Sequence, residues 1–415
     1  LEVLSRMLER RAELARLLGY PSWAAYATED KMIGSDTAAA ELVARVVAAS
    51  GARVARDYAQ LLARRRRDDP AAERVQPWDA AWLQERVKAE QYGFDAREAR
   101  PYFEYRRVQA GVLALVGRLF GVTLAPAPGA PVWHPEVQAF DVVEGDRPLG
   151  RVYLDMHPRE GKYKHYAQFT LASGQAGRRL PEGVLVCNFP RPGAAPALLE
   201  HGEVKTFLHE LGHLMHHVLG GHTRWATQSG VATEWDFVEA PSQMLEEWVW
   251  DPEALAGFAR HGDTGAPIPA ELVARMRRAD EYGKGLWVRQ QMFYAALSLE
   301  LHRRDPAGLD TTALAAELAE RYTPFRHVEG TYFQASFGHL DGYSALYYTY
   351  MWSLVIAKDL FGVFRREGLF APGPAGRYRR AVLEPGGSRP AAELVEAFLG
   401  RPFSFDAFAA WLDAA

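Results

Sequence analysis

Two histidines four positions apart bracket the pentapeptide His209-Glu210-Leu211-Gly212-His213 in a chain of 415 residues. An α-helix turns once in 3.6 residues, so on a helix both imidazoles stand on one face and reach a single metal ion. Glu210 then lies beside that ion, placed to take a proton from water held there. The flanking residues favour the helix. Phe207, Leu208, Leu211, Leu214, Met215, Val218 and Leu219 recur at helical spacing after Glu203 and Thr206, and Gly220-Gly221 ends the run. Gly212 costs about 1 kcal/mol of helix propensity relative to Ala, so its presence predicts a neighbour packed against the backbone. A lone histidine in such a helix is more often an ordinary surface or core residue; the pentapeptide inside an amphipathic helix favours the metal.

This is the H-E-x-x-H arrangement of zinc peptidases, and such a site needs a third protein ligand. Glu234, Glu239, Glu246 and Glu247 all follow within reach of a second helix, and spacing alone does not choose among them. His216 lies seven positions from His209, too far along the axis for the same ion. With His217 and His222 it reads as a helix-end histidine facing the C-terminal dipole or solvent.

The stretches Phe207 to His216 and Asp236-Phe-Val-Glu-Ala-Pro-Ser-Gln-Met-Leu-Glu246 together resemble the thimet oligopeptidase and neurolysin family of zinc metallopeptidases. The likeness runs along the chain in order, through Pro77-Trp78-Asp79, Arg100-Pro101-Tyr102-Phe103, Leu154 to Tyr163, Phe337 to Leu340, Tyr347-Tyr348 with Tyr350, and Pro385 to Ser388. It implies one zinc ion held by His209, His213 and Glu239, with Glu210 as catalytic base. The interval between the two ligand-bearing segments is one residue longer than in relatives, which an insertion in the loop from Gly220 to Thr233 absorbs. Glu246, two turns beyond Glu239, is placed to accept a hydrogen bond from His209 or His213 and orient it.

Tyr343, Tyr347 and Tyr350 stand at i, i+4 and i+7 of a helix predicted over 343–364, which would align their phenols as a stripe. In isolation such a stripe is more often core packing. The resemblance makes Tyr347, Tyr350 and His339 transition-state or substrate contacts and Tyr343 a substrate contact, since neutral phenols can donate to an oxyanion. A single glycine, Gly342, stands where many relatives have two, so this loop is expected to be shorter and stiffer.

Strands are predicted over 136–143 and 150–156 about the turn Glu144-Gly145-Asp146-Arg147, and over 165–171 and 183–189. An antiparallel sheet with a free edge would hold an extended peptide, and Val184 to Phe189, through Val186 and Asn188, is the expected edge. Helical spacing covers 1–19, 38–66, 78–92, 105–120, 271–302, 311–321 and 391–399. The fold expected is mainly α, a zincin-like helical peptidase with the small sheet beside the zinc helix and a deep substrate cleft. It reads as one catalytic region: a helical lobe over 1–130, the sheet over 131–192, and the zinc and tyrosine segments over 193–415.

A net charge of -4 from 48 basic and 52 acidic residues gives no reason to expect nucleic acid or membrane as a partner. Short peptides are the expected partners of a monomer. One cysteine, Cys187, excludes an internal disulfide and fits a reducing, cytoplasmic setting. The chain opens at Leu1 inside a helical pattern, so the family's N-terminal helices are expected to be absent, and with them part of the restriction to short substrates. The resulting expectation is an oligopeptidase acting on internal bonds. Removal of C-terminal dipeptides, for which Arg159 or Lys162 would bind a carboxylate, and peptide binding without cleavage are the alternatives.

Overall fold

The computed structural model describes residues 1–414. Helices make up 56% of the chain, joined by one small mixed sheet. Packing divides the chain into two compact units that are not consecutive in sequence. The first comprises Leu1–Phe94, Arg278–Trp352 and Phe408–Ala415; the second comprises Asp95–Arg277 and Ser353–Ala407.

In the first unit the helix Lys284–Arg303 is the centre. It packs against Trp23–Glu29, Asp36–Ala49, Gly51–Asp68 and Thr311–Tyr322. Val54, Leu61, Leu83, Val87, Tyr282 and Leu286 form part of the core. The continuous pattern over 38–66 is two helices broken at Ser50, and that over 271–302 breaks at Gly283, whose φ of 86° only glycine adopts without strain.

The second unit holds the sheet. Its strands are β1 (Thr123–Pro126), β2 (Gln138–Glu144), β3 (Arg147–Asp155), β4 (Ala167–Ala172) and β5 (Glu182–Val186). The expected hairpin at Glu144 to Arg147 joins β2 and β3, and β1 adds an antiparallel strand that weak local patterning had concealed. The spatial order is β1-β2-β3-β5-β4, and β3 pairs with β5 in parallel. The sheet is therefore mixed, where a fully antiparallel one was expected.

This order corrects the placement of the substrate-holding edge. β5 is interior, with Val186 opposite Asp155 on one side and Ala167 on the other. Its ladder groups are committed to two neighbours, and Asn188 Nδ2 donates to the carbonyls of Tyr163 and His165, both at 3.1 Å. Neither residue belongs to an open edge. Val184, Leu185, Val186, Cys187 and Phe189 are all buried, as a strand covered on both faces requires. The end strand is β4.

Candidate metal centre

The pentapeptide lies in the helix His201–Leu219, which packs on β3, β4 and β5. A capping box starts it. Glu200 and Glu203 each satisfy a backbone N–H of the other's turn, and Gly220 follows its last residue. A second helix, Glu239–Leu245, crosses it at Gly212. A β-carbon built on Gly212 would lie 2.7 Å from Ser242 Cα, so the neighbour predicted from that glycine is the backbone carrying Glu239.

Gly212→Ala therefore sets two effects against each other. Helix propensity would gain about 1 kcal/mol. Overpacking against a backbone atom that cannot swing aside costs about 1–3 kcal/mol. A lower melting temperature is expected, together with weaker metal binding as the helices separate; a raised melting temperature would contradict the close crossing.

The crossing brings three donors together. Glu239 Oε2 lies 3.1 Å from His209 Nε2 and 3.2 Å from His213 Nε2. Ser242 Oγ, which donates to the Glu239 carbonyl at 2.9 Å, braces the start of that helix. Tetrahedral zinc with ligands at ~2.0–2.1 Å separates neighbouring donor atoms by about 3.3 Å. His209, His213 and Glu239 are the group of ligating side chains, among the described residues, that could hold an ion. The donor set, two imidazoles and one carboxylate, suits a zinc ion.

The charges around it point the same way. Burial alone would favour the neutral acid at Glu239, yet the two imidazoles outweigh it and hold this carboxyl well below the ordinary range. Burial would likewise favour neutral His209, but hydrogen bonds with Glu239 and Glu246 hold it well above the usual imidazole range. The two carboxylates flanking His209 thus draw positive charge to this position, a proton on the imidazole where no ion is bound.

Glu246 lies within hydrogen-bond reach of His209, where an orienting partner was expected. Its Oε1 accepts from His209 Nδ1 at 2.7 Å, so Nε2 is the nitrogen turned to the metal position. Lys205, one turn before His209, adds an ion pair to Glu246 Oε2 at 2.9 Å. The spacing of four residues between Lys205 and His209 was the available signal for it. The other acidic candidates are engaged elsewhere. Glu234 accepts from the Ala391 backbone N–H and caps a helix, and Glu247 pairs with Lys358.

Glu210 projects from the same helix beside the ligands, 8% exposed. Burial pushes its carboxyl above the ordinary range, while His209, His213 and a hydrogen bond from the Gln168 backbone pull against it. Gln168 belongs to β4, so the end strand of the sheet and the expected base meet directly. That strand was missed as the edge, and so was this contact.

Three further expectations are corrected. His216 and His217 are fully buried instead of facing solvent, while His222 is exposed. Burial pushes His216 down to about 3 and also lowers His217, whose Nε2 bridges the carbonyls of Ala172 and Glu182 and ties the helix to the sheet. Arg159 and Lys162, expected as carboxylate-binding groups, are both engaged within the fold. Arg159 forks onto both oxygens of buried Asp155, and Lys162 Nζ is taken up by Asp155 and the carbonyls of Asp155, His157 and Cys187.

The tyrosines, in the first unit, do not share one helix. A one-turn helix His339–Gly342 is followed by turns, and the long helix starts only at Thr349. The rings converge all the same. Tyr343 stacks on Tyr350 at 5.4 Å between centroids, Tyr347 lies 5.0 Å from Tyr350 and 4.9 Å from His339. Tyr350 Oη is 3.3 Å from His339 Nε2.

Comparison with known proteins identifies the family. The sequence profile described as Peptidase family M3 matches residues 1–413. Oligopeptidase A of Escherichia coli strain K12 is 33% identical over 98% of this chain and 61% of its own length. Dipeptidyl carboxypeptidase of the same organism is 31% identical over 96% and 60%, and human mitochondrial intermediate peptidase 30% over 98% and 58%. The chain thus spans about three fifths of the length of these relatives. Among solved structures, a PZ peptidase A with inhibitor covers the whole chain at a TM-score of 0.61 and 12% identity, over 65% of that protein. The M32 carboxypeptidase of Deinococcus radiodurans R1 covers 99% at 0.56 and 14%, over 72% of its own chain. At such identities these two likenesses speak for the fold.

Proposed function

The chain belongs to peptidase family M3, and from that premise we propose that it hydrolyses internal peptide bonds of short peptides, using one zinc ion held by His209, His213 and Glu239. The observation that carries this reading is the convergence of those three donors beside a buried glutamate.

Zinc, when bound, supplies a Lewis acid that polarises the scissile carbonyl and makes water a nucleophile near neutral pH. Glu210 accepts the proton of the attacking water and later delivers it to the leaving amine. The Gln168 backbone N–H holds its carboxylate while it does so. Glu246 fixes the ring orientation of His209. The family likeness assigns Tyr350 and Tyr347, with His339 as a further donor, to the oxyanion that forms on the substrate carbon. Tyr343 contacts the substrate. Support for these roles is the convergence of the four rings and the family likeness. In this reading β4, the end strand of the sheet, pairs with an extended peptide; what supports it is its place at the sheet edge.

Digestion of a mixed peptide library, read by mass spectrometry with and without a chelator, tests the reading. Internal cleavage of short peptides that stops on chelation is expected. Products shortened only by C-terminal dipeptides would replace the endopeptidase reading with a peptidyl-dipeptidase one, and no cleavage by the metal-loaded chain would refute both.

A further inference from the structure

The segment carrying His339 is held by residues far from it in sequence, all in the first unit. Arg11, on the helix Glu2–Leu17, donates from Nη1 to the Leu340 carbonyl at 2.5 Å and from Nη2 to the Asp341 carbonyl at 3.0 Å. These carbonyls belong to the one-turn helix His339–Gly342, which has no further turn to satisfy them. Arg11 Nη1 also lies 3.0 Å from His302 Nε2.

The hydrogen-bond roles follow from chemistry. The Ser298 carbonyl can only accept, and it sits 2.7 Å from His302 Nδ1. The proton is therefore on Nδ1, and bare Nε2 accepts from Arg11. Burial, with Arg11 opposing a second positive charge and the Ser298 carbonyl favouring one, leaves His302 lowered to about 4, so this neutral tautomer persists near pH 7. Two more bonds reach the same segment: Ser298 Oγ to the Tyr343 carbonyl at 3.3 Å, and Trp23 Nε1 to Ser344 Oγ at 2.9 Å. The Arg11 guanidinium lies 5.5 Å from the Trp23 ring centroid.

An independent observation shows why the segment needs holding. Buried Ala345 has φ of 64°, and it is the one described non-glycine residue at positive φ. A left-handed alanine is strained and persists only where its surroundings over-determine it. It stands between Tyr343 and Tyr347, and its backbone turn is what lets rings on separate turns meet.

We propose that Arg11 and His302 are positioning residues for the proposed reaction. They hold segment 339–345 so that His339, Tyr347 and Tyr350 keep their mutual arrangement, acting through main-chain carbonyls and without touching substrate. The proposal rests on the reading above that these three side chains contact the reacting peptide.

Hydrogen–deuterium exchange over 338–346 in Arg11→Met, with kinetics on a short peptide, tests it. Exchange of the segment should accelerate at least tenfold while the helix 201–219 and the metal content stay unchanged. kcat should fall by about tenfold or more, with KM less affected, as expected when donors are displaced by a fraction of an ångström. Arg11→Lys, which can keep a bond to one carbonyl, should recover part of the protection and part of the turnover. Unchanged exchange in both variants overturns the proposal. Faster exchange with full turnover overturns the positioning role. Tyr350→Phe and His339→Ala then locate the failure: if they lose turnover, only the Arg11 proposal has failed, and if they too are fully active, the reading of the tyrosine segment has failed.

Discussion

Glu210→Gln is expected to lower turnover by about 10²–10⁴-fold, the range for removing a general base, while leaving the metal content at about one ion per chain. The substitution keeps the shape of the side chain and replaces an acceptor oxygen by an amide that cannot take a proton. Glu210 is not among the converging ligands, so their geometry survives. Its carboxyl is buried and lies above the ordinary glutamate range, which brings its proton affinity closer to that needed for exchange with water and a leaving amine. The measurement is kcat on a short peptide alongside metal analysis of the same sample. A variant that keeps both its ion and its turnover would remove Glu210 from the chemistry.

Glu239→Gln is expected to act one step earlier, by loss of the ion itself. The Glu239 carboxylate is 4% exposed and is the negative charge that both Nε2 atoms face. An amide offers a weaker donor and removes that charge, so affinity should fall by more than the ~10–100-fold typical of mutating an orienting partner. Glu246→Gln supplies that comparison in the same protein, because Glu246 meets His209 at the nitrogen away from the other two donors and otherwise pairs with Lys205. Competition against a chromogenic chelator would measure both. Equal losses in the two variants would mean that Glu239 does not ligate.

Much of this centre was legible in the sequence because helical periodicity is local. The five residues 209–213, the apolar positions around them and Gly220-Gly221 fix a face and an end for the helix without tertiary information. Gly212 announced a close neighbour, and the neighbour is Ser242. The choice of Glu239 over Glu234 was different in kind. Local spacing left it open, and it needed the family likeness, since only the fold shows Glu234 turned away to cap the helix at Ala391.

What stayed hidden depends on which strands meet. The order β3-β5-β4 arises because β4 and β5 pair as an antiparallel unit that meets β3 through β5. Pattern alone does not state that choice, although the unbroken apolar run Val184 to Cys187 carried the signature of an inner strand. The tyrosine segment misled for another reason. Its i, i+4, i+7 spacing imitates a helix, whereas Ala345 turns the backbone left-handed in the middle of it. The side chains meet by a turn that no local preference of alanine would suggest.

The claim on which the rest depends is that one divalent ion is bound by His209, His213 and Glu239 and is needed for hydrolysis. Titrating zinc into chelator-stripped protein while following peptide cleavage tests it most directly. Turnover should rise from near zero and level off at about one ion per chain, and His213→Ala should abolish the rise. Full cleavage by the stripped protein, or an unchanged titration in His213→Ala, would contradict it.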